Sequence, residues 1–183
     1  MRTLPRTIFI LLCMASLGVQ SAPRLNFSDL ISGPSTGIGD GLGSGVIVTL
    51  WGQNLSNQQG ESAVVFTDVD GTEHSSPHVY YWKNSDGTLP GGAANLFVSH
   101  GMQEIAISVP QAPNGLGSIH VVVNNQVSNK LPFTVRDGLI YHVKSSGDDL
   151  NSGIFSSPYL TIPGALSKVN EPGSTVYIHD SII

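Results

Sequence analysis

Asp148, Asp149 and Asn151 place three oxygen-bearing side chains at the short spacings that Ca²⁺ loops use, and Gly147 and Gly153 let the backbone turn around an ion. A Ca²⁺ shell takes roughly six to eight oxygens, so these side chains would supply only part of one. The competing reading is an Asx-type turn, in which the same groups accept from nearby backbone N–H. Asp68 and Asp70 ahead of Gly71 form a similar pair, but Asp-Gly closing an apolar run is the usual sequence of a hairpin turn. Aromatic chemistry is concentrated at Tyr80, Tyr81 and Trp82, with Pro90-Gly91-Gly92 downstream. A flat ring packs well on the apolar face of a pyranose, which makes Tyr81 and Trp82 the candidate carbohydrate-binding residues. Strand alternation would put Tyr80 and Trp82 on one face and Tyr81 on the other, so one of those faces is expected to be core.

Other chemistries lack their residues. The six histidines (His74, His78, His100, His120, His142 and His179) show neither His-x-x-x-His nor His-Glu pairing, and the single cysteine is Cys13, so no zinc site is expected. There is no Gly-x-Ser-x-Gly elbow and no glycine-rich phosphate loop between a strand and a helix. Paired carboxylates for glycoside cleavage are recognised by their separation in space, which spacing along the chain does not give. No catalytic residue is assigned, and this segment is expected to be non-catalytic. Asn26-Phe27-Ser28 and Asn54-Leu55-Ser56 fit glycosylation sequons, relevant only in a glycosylating host.

The elements that must position these residues read as strands. Gly45–Gly52, Ala63–Thr67, His78–Lys83, Met102–Pro110, Ser118–Asn124 and Leu131–Arg136 are short β-branched or aromatic runs separated by turn signals at Asp70-Gly71, Asp86-Gly87 and Asn114-Gly115. Six or seven such strands over about 100 residues suit a β-sandwich, placed here at residues 45–137. Residues 22–44, rich in Gly, Ser and Pro, are expected to be a flexible lead-in. After Asp137-Gly138 the texture changes to a strand (Ile140–Val143), a polar turn, a short helix (Ile162–Val169) and a strand (Thr175–His179) with no visible partner. Two strands and a helix bury little, so residues 138–183 are expected to need further chain or another surface to dock on.

Residues 1–21 have the layout of a secretory signal: Arg2 and Arg6, an apolar run from Ile8 to Val19, and small residues before Ala22. The run is shorter than the roughly 20 apolar residues of a membrane span. Cleavage would leave a secreted chain, extracellular, periplasmic or cell-surface, with no transmembrane segment. Removing Arg2 and Arg6 from the 8 basic residues leaves 6 against 13 acidic ones, a formal charge near −7, which is unsuited to nucleic acid. With Cys13 gone no internal disulfide can form, and stability must come from packing.

Two segments resemble known families. Val48–Leu55, Ile105–Pro110, Gly117–Val123 and Val127–Val135 are similar to the strands and turns of IPT/TIG immunoglobulin-like domains, with a long insert from Gly71 to Gly101 as the departure. Ile140–Val143, Ser146–Gly153, Ser157–Ile162 with Ala165-Leu166, and Pro172–Ile178 resemble the N-terminal cap of right-handed parallel β-helix, pectin-lyase-like proteins. Pro163 departs from that pattern and is tolerable in a first helical turn. The resemblance implies an all-β chain: an immunoglobulin-like β-sandwich followed by the first strand, cap helix and first rung of a parallel β-helix, incomplete at Ile183. Secreted β-helix proteins of this type are often polysaccharide lyases or related carbohydrate-active enzymes whose catalytic residues lie on later rungs. The expectation is therefore a non-catalytic N-terminal region of a secreted polysaccharide-binding or polysaccharide-degrading protein, its sandwich a spacer or carbohydrate-binding unit. The alternative is an extracellular adhesion or structural protein. Polysaccharide is the expected partner, and Ca²⁺ the one cofactor considered.

Overall fold

The computed structural model describes residues 21–75 and 78–179, so the expected signal segment lies outside the described residues apart from Ser21. In chain order the elements are β1 (Arg24–Ser28), β2 (Ser32–Gly33), β3 (Ile47–Gln53), β4 (Ala63–Thr67), β5 (Glu73–Ser75), β6 (Val79–Asn84) and α1 (Leu96–His100). There follow β7 (Met102–Ser108), β8 (Gly115–Val123), β9 (Gln126–Val127), β10 (Leu131–Val135), β11 (Ile140–Val143), α2 (Ile162–Lys168) and β12 (Thr175–Ile178). The chain is mostly β-sheet. No helix of the described residues is long and apolar enough to cross a membrane.

Alternation explains the layering. Val48 and Leu50 of β3, Ile105 and Ile107 of β7 and Trp82 of β6 point inward from a sheet ordered β1-β3-β7-β6. Val64 and Phe66 of β4, Ile119, Val121 and Val123 of β8, and Phe133 and Val135 of β10 point inward from a second sheet ordered β2-β10-β8-β4-β5, with β9 also on β8. Both sets form one core, and Phe66 meets Phe133 edge to face with ring centroids 6.1 Å apart. The tight turn between β4 and β5 is held by Asp68, whose carboxylate accepts from Asp70 N and Thr72 N, while Gly71 sits at φ 80°.

Residues 22–44 are not the flexible lead-in that their composition suggests. β1 pairs antiparallel with β3, and β2 pairs in parallel with β10. Leu25 and Ile38 are buried in the core, and the Asn129 amide clasps β1 from the other sheet, accepting from Leu25 N and donating to Leu25 O. The two-layered unit therefore starts at Arg24 and not at residue 45. Few apolar residues are needed here, because pairing with distant strands satisfies the backbone.

The strand at the end of the chain also has a partner. β12 runs parallel to β11 in one-to-one register, Ile140 opposite Thr175 through Val143 opposite Ile178, with α2 in the crossover. On its other edge β11 bridges in parallel to Tyr159. All four residues of β11 are buried. Ile140 joins the core of the two sheets, whereas Tyr141 and Val143, on the opposite face, pack with Tyr159 and with Ala165 of α2. Thr161 caps α2 by accepting from Gly164 N, and Pro163 falls in its first turn, where a missing N–H costs nothing.

Candidate functional site

Between the inward residues of the β1-β3-β7-β6 sheet, the alternate residues line its outer face. Register aligns Phe27, Trp51, Glu104 and Lys83 in one cross-strand row and Thr49, Ala106 and Tyr81 in the next. Phe27 stacks on Trp51 at 5.1 Å between centroids. Glu104 is fully buried although it lies on this outer face, because residues 85–95 fold over it. One carboxylate oxygen, Oε2, accepts from Trp51 Nε1 (3.1 Å), Ser85 Oγ (3.1 Å) and Gly92 N (3.3 Å), and Lys83 Nζ lies 3.6 Å from Oε1. Lys83 also pairs with Asp86 at 3.1 Å and donates to the Thr88 hydroxyl. A Cβ at Gly91, whose φ is 140°, would sit 2.0 Å from Glu104 Oε1, so glycine is required where the loop crosses the acid. A buried charge needs such a set of partners, and this one is an anchor for the loop.

The same face ends in a cavity of about 330 Å³ lined by Leu42, Gly43, Ser44, His78, Ser108, Val109 and Pro110. Beside it the Tyr80 hydroxyl donates to Asp40 Oδ2, while Asp40 Oδ1 accepts from Leu42 N and Gly43 N. Burial works against ionising Asp40, but the bonds from Tyr80, Gly43 and Leu42, with the attraction of His78, outweigh it and hold the carboxyl below its ordinary range. Burial, then the Asp40 carboxylate, pushes the Tyr80 phenol well above its usual range, so it remains a donor. His78 meets the Tyr80 ring edge to face at 4.6 Å. Ser108 Oγ accepts from Ser44 N and donates to Gly45 O, which fixes the cavity wall. The result is a preorganised carboxylate–phenol pair and an imidazole around a small polar cavity, suited to holding hydroxyl groups.

The two aromatic candidates are separated. A bulge between Val79 and Tyr81 breaks the alternation, so Tyr80 and Trp82 do not share a face. Trp82 is 8 % exposed, lies in the core and donates its indole N–H to Leu55 O at 2.9 Å; it presents no ring for stacking. Tyr81 is half-buried on the outer face, pushed up by burial against the bond to Thr49, near Asp29 and Glu104. Asp29, also raised by burial, accepts from Thr49 N at 2.8 Å.

The Ca²⁺ candidates do not converge either. Asp148 Oδ1 accepts from Leu150 N, Asn151 donates its amide to Pro158 O, and Asp149 accepts from Leu160 N, Thr161 N and the Thr161 hydroxyl. The Thr161 hydroxyl is the main reason that Asp149 titrates below its ordinary range. These oxygens are spent on a turn and on latching it to the start of α2, which is the Asx-type arrangement. Among the described residues no three His, Cys, Asp or Glu side chains group as a metal site. Asp40, His78, Ser108 and Glu104 do not stand out in the order of residues, because each acquires its partners from segments distant along the chain. Comparison with models of known protein families and with characterised proteins finds no match for this chain.

Proposed function

We propose that this chain is the non-catalytic N-terminal region of an exported parallel β-helix protein that binds or degrades polysaccharide. In this reading the two-sheet unit is an immunoglobulin-like module of the IPT/TIG kind, and residues 138–183 begin the β-helix. The observation that carries the reading is the parallel β11–α2–β12 unit. A parallel pair with a crossover helix is costly to build in isolation, and here β11 is wholly buried between the two-sheet core and α2. That makes the two-sheet unit a fixed base from which further parallel strands can extend along β12. The polar cavity beside Asp40, Tyr80 and His78 is the place where this module would contact sugar hydroxyls.

Affinity electrophoresis through gels containing neutral and uronic-acid polysaccharides tests the binding half of the proposal. Retarded migration in one of these gels, reduced by His78→Ala, supports it. Unchanged migration in all of them, for this chain and for a version extended by the downstream coding sequence, would refute it and favour an adhesion or structural role.

A further inference from the structure

The face of β11 that meets the two-sheet unit carries His142, whose environment is unlike that of the other histidines. His142 is fully buried, and its Nδ1 lies 2.7 Å from Nε2 of His179, two residues beyond Tyr177 on the same side of the β12 line. The His142 ring also stacks on Tyr177 at 5.9 Å and meets Phe155 edge-on at 5.2 Å; Phe155 in turn meets His179 at 5.8 Å. Lys144 Nζ caps the far side of Phe155 at 3.7 Å from its centroid. A direct imidazole–imidazole hydrogen bond needs one nitrogen with a proton and one without. It therefore survives zero or one added proton and fails when both rings are charged.

We propose that the His142–His179 contact is an acid-released clasp, which holds the end of β12 against β11 and the Ile38–Asp40 loop at neutral pH and lets it go as the medium acidifies. The charged and titratable groups facing His142 from each packed element are Lys144 just after β11, His179 and Tyr177 on the β12 line, and Asp40 on the loop. Lys144 and His179 oppose a positive charge on His142, while Asp40 and the Ile38 carbonyl favour one. Burial and the two cations prevail, so that His142 takes its proton only near pH 4. Its buried Nε2 makes no well-formed hydrogen bond, and the nearby Ile38 carbonyl only partly offsets the cost of a second proton on this ring. Acid can be accommodated only by moving His179 and the strand end away and admitting water. This inference does not depend on a sugar ligand.

Hydrogen exchange of the whole chain, corrected for the intrinsic pH dependence of amide exchange, reads the clasp directly. Lowering the pH from about 7.5 to about 4.5 is expected to reduce protection at Tyr177 and His179, whose amides face β11, by about tenfold or more, with protection at Ile105 and Val121 held within about twofold. In His179→Gln, and in His142→Phe, which retains an aromatic ring without a charge, that pH dependence should vanish. Protection at β12 that is independent of pH in the parent chain would overturn the proposal. So would an acid loss identical in the parent and in whichever variant folds, or one shared equally by the two-sheet core.

Discussion

Replacing Tyr177 with Phe removes one oxygen atom, and the structure says what that atom does. β1 ends at Ser28, which leaves the edge of β3 without a strand partner beyond Leu50. Asp29 covers the next position through its backbone N–H to Thr49 O and its carboxylate from Thr49 N. At Ile47 the Tyr177 hydroxyl completes the edge, accepting from Ile47 N at 2.6 Å and donating to Ile47 O at 3.2 Å. Burial pushes this phenol up to about 12, so it stays protonated under all ordinary conditions. Each such bond contributes about 1 kcal/mol net, and Tyr177→Phe leaves two half-buried backbone groups unpaired, so undocking of residues 138–179 should become easier by about 2 kcal/mol. That is about a 30-fold rise in the opening equilibrium, at roughly 1.4 kcal/mol per factor of ten. Native-state hydrogen exchange at Tyr141, Val143 and Thr175 measures it. A change under about threefold would show that the hydroxyl does not hold the tail, and a loss spread evenly over β7 and β8 would show that the tail has no opening of its own.

Further outcomes follow from the same contacts. Phe66→Ala should lower unfolding stability by about 3–5 kcal/mol in urea titration, because Phe66 is fully buried against Phe133 and neighbouring strands cannot close the space. Glu104→Ala should cost about 3–5 kcal/mol by stranding Lys83 and the donors of Trp51, Ser85 and Gly92, and it should open residues 86–95 to limited proteolysis before the rest of the fold. His142 titrates near 4 when folded and near 6.5 when unfolded, so between those values the unfolded chain binds more protons. Its contribution is complete above pH 6.5 and falls by about 3 kcal/mol as the pH drops towards 4, a slope that urea titrations should lose in His142→Phe. Added Ca²⁺ should leave the melting temperature unchanged, since Asp148, Asp149 and Asn151 are engaged in their turn; a rise that Asp149→Asn removes would restore the metal reading.

What could be read from residue order was what depends on local periodicity. Ala63–Thr67, Leu131–Val135, Ile140–Val143 and the helix at Ile162–Lys168 stand where alternation and turn residues place them. β1 and β2 escaped because Arg24–Ser28 and Ser32-Gly33 are held by strands about 20 and 100 residues away, and nothing in a short Gly- and Ser-rich stretch announces such partners. The bulge at Tyr80 is likewise a product of pairing with β7, and it reversed the expected grouping of Tyr80 with Trp82. Glu104 shows the same limit in charge: its place in the alternation reads as solvent-facing, and only the crossing of Gly91 and Gly92 over the sheet turns that position into an interior one. The turn at Asp148–Asn151 was legible as a turn, and the choice between ion and backbone as its occupant needed the positions of Pro158 and Thr161.

The most direct test of the central claim is a structure of this chain expressed together with the residues encoded after Ile183. A further strand is expected parallel to β12 on its open edge, continuing the β11–β12 register, with the two-sheet unit unchanged beneath it. A downstream segment that folds away from β12 or pairs with it antiparallel, or a coding region that stops at Ile183, would contradict the claim that this unit begins a parallel β stack.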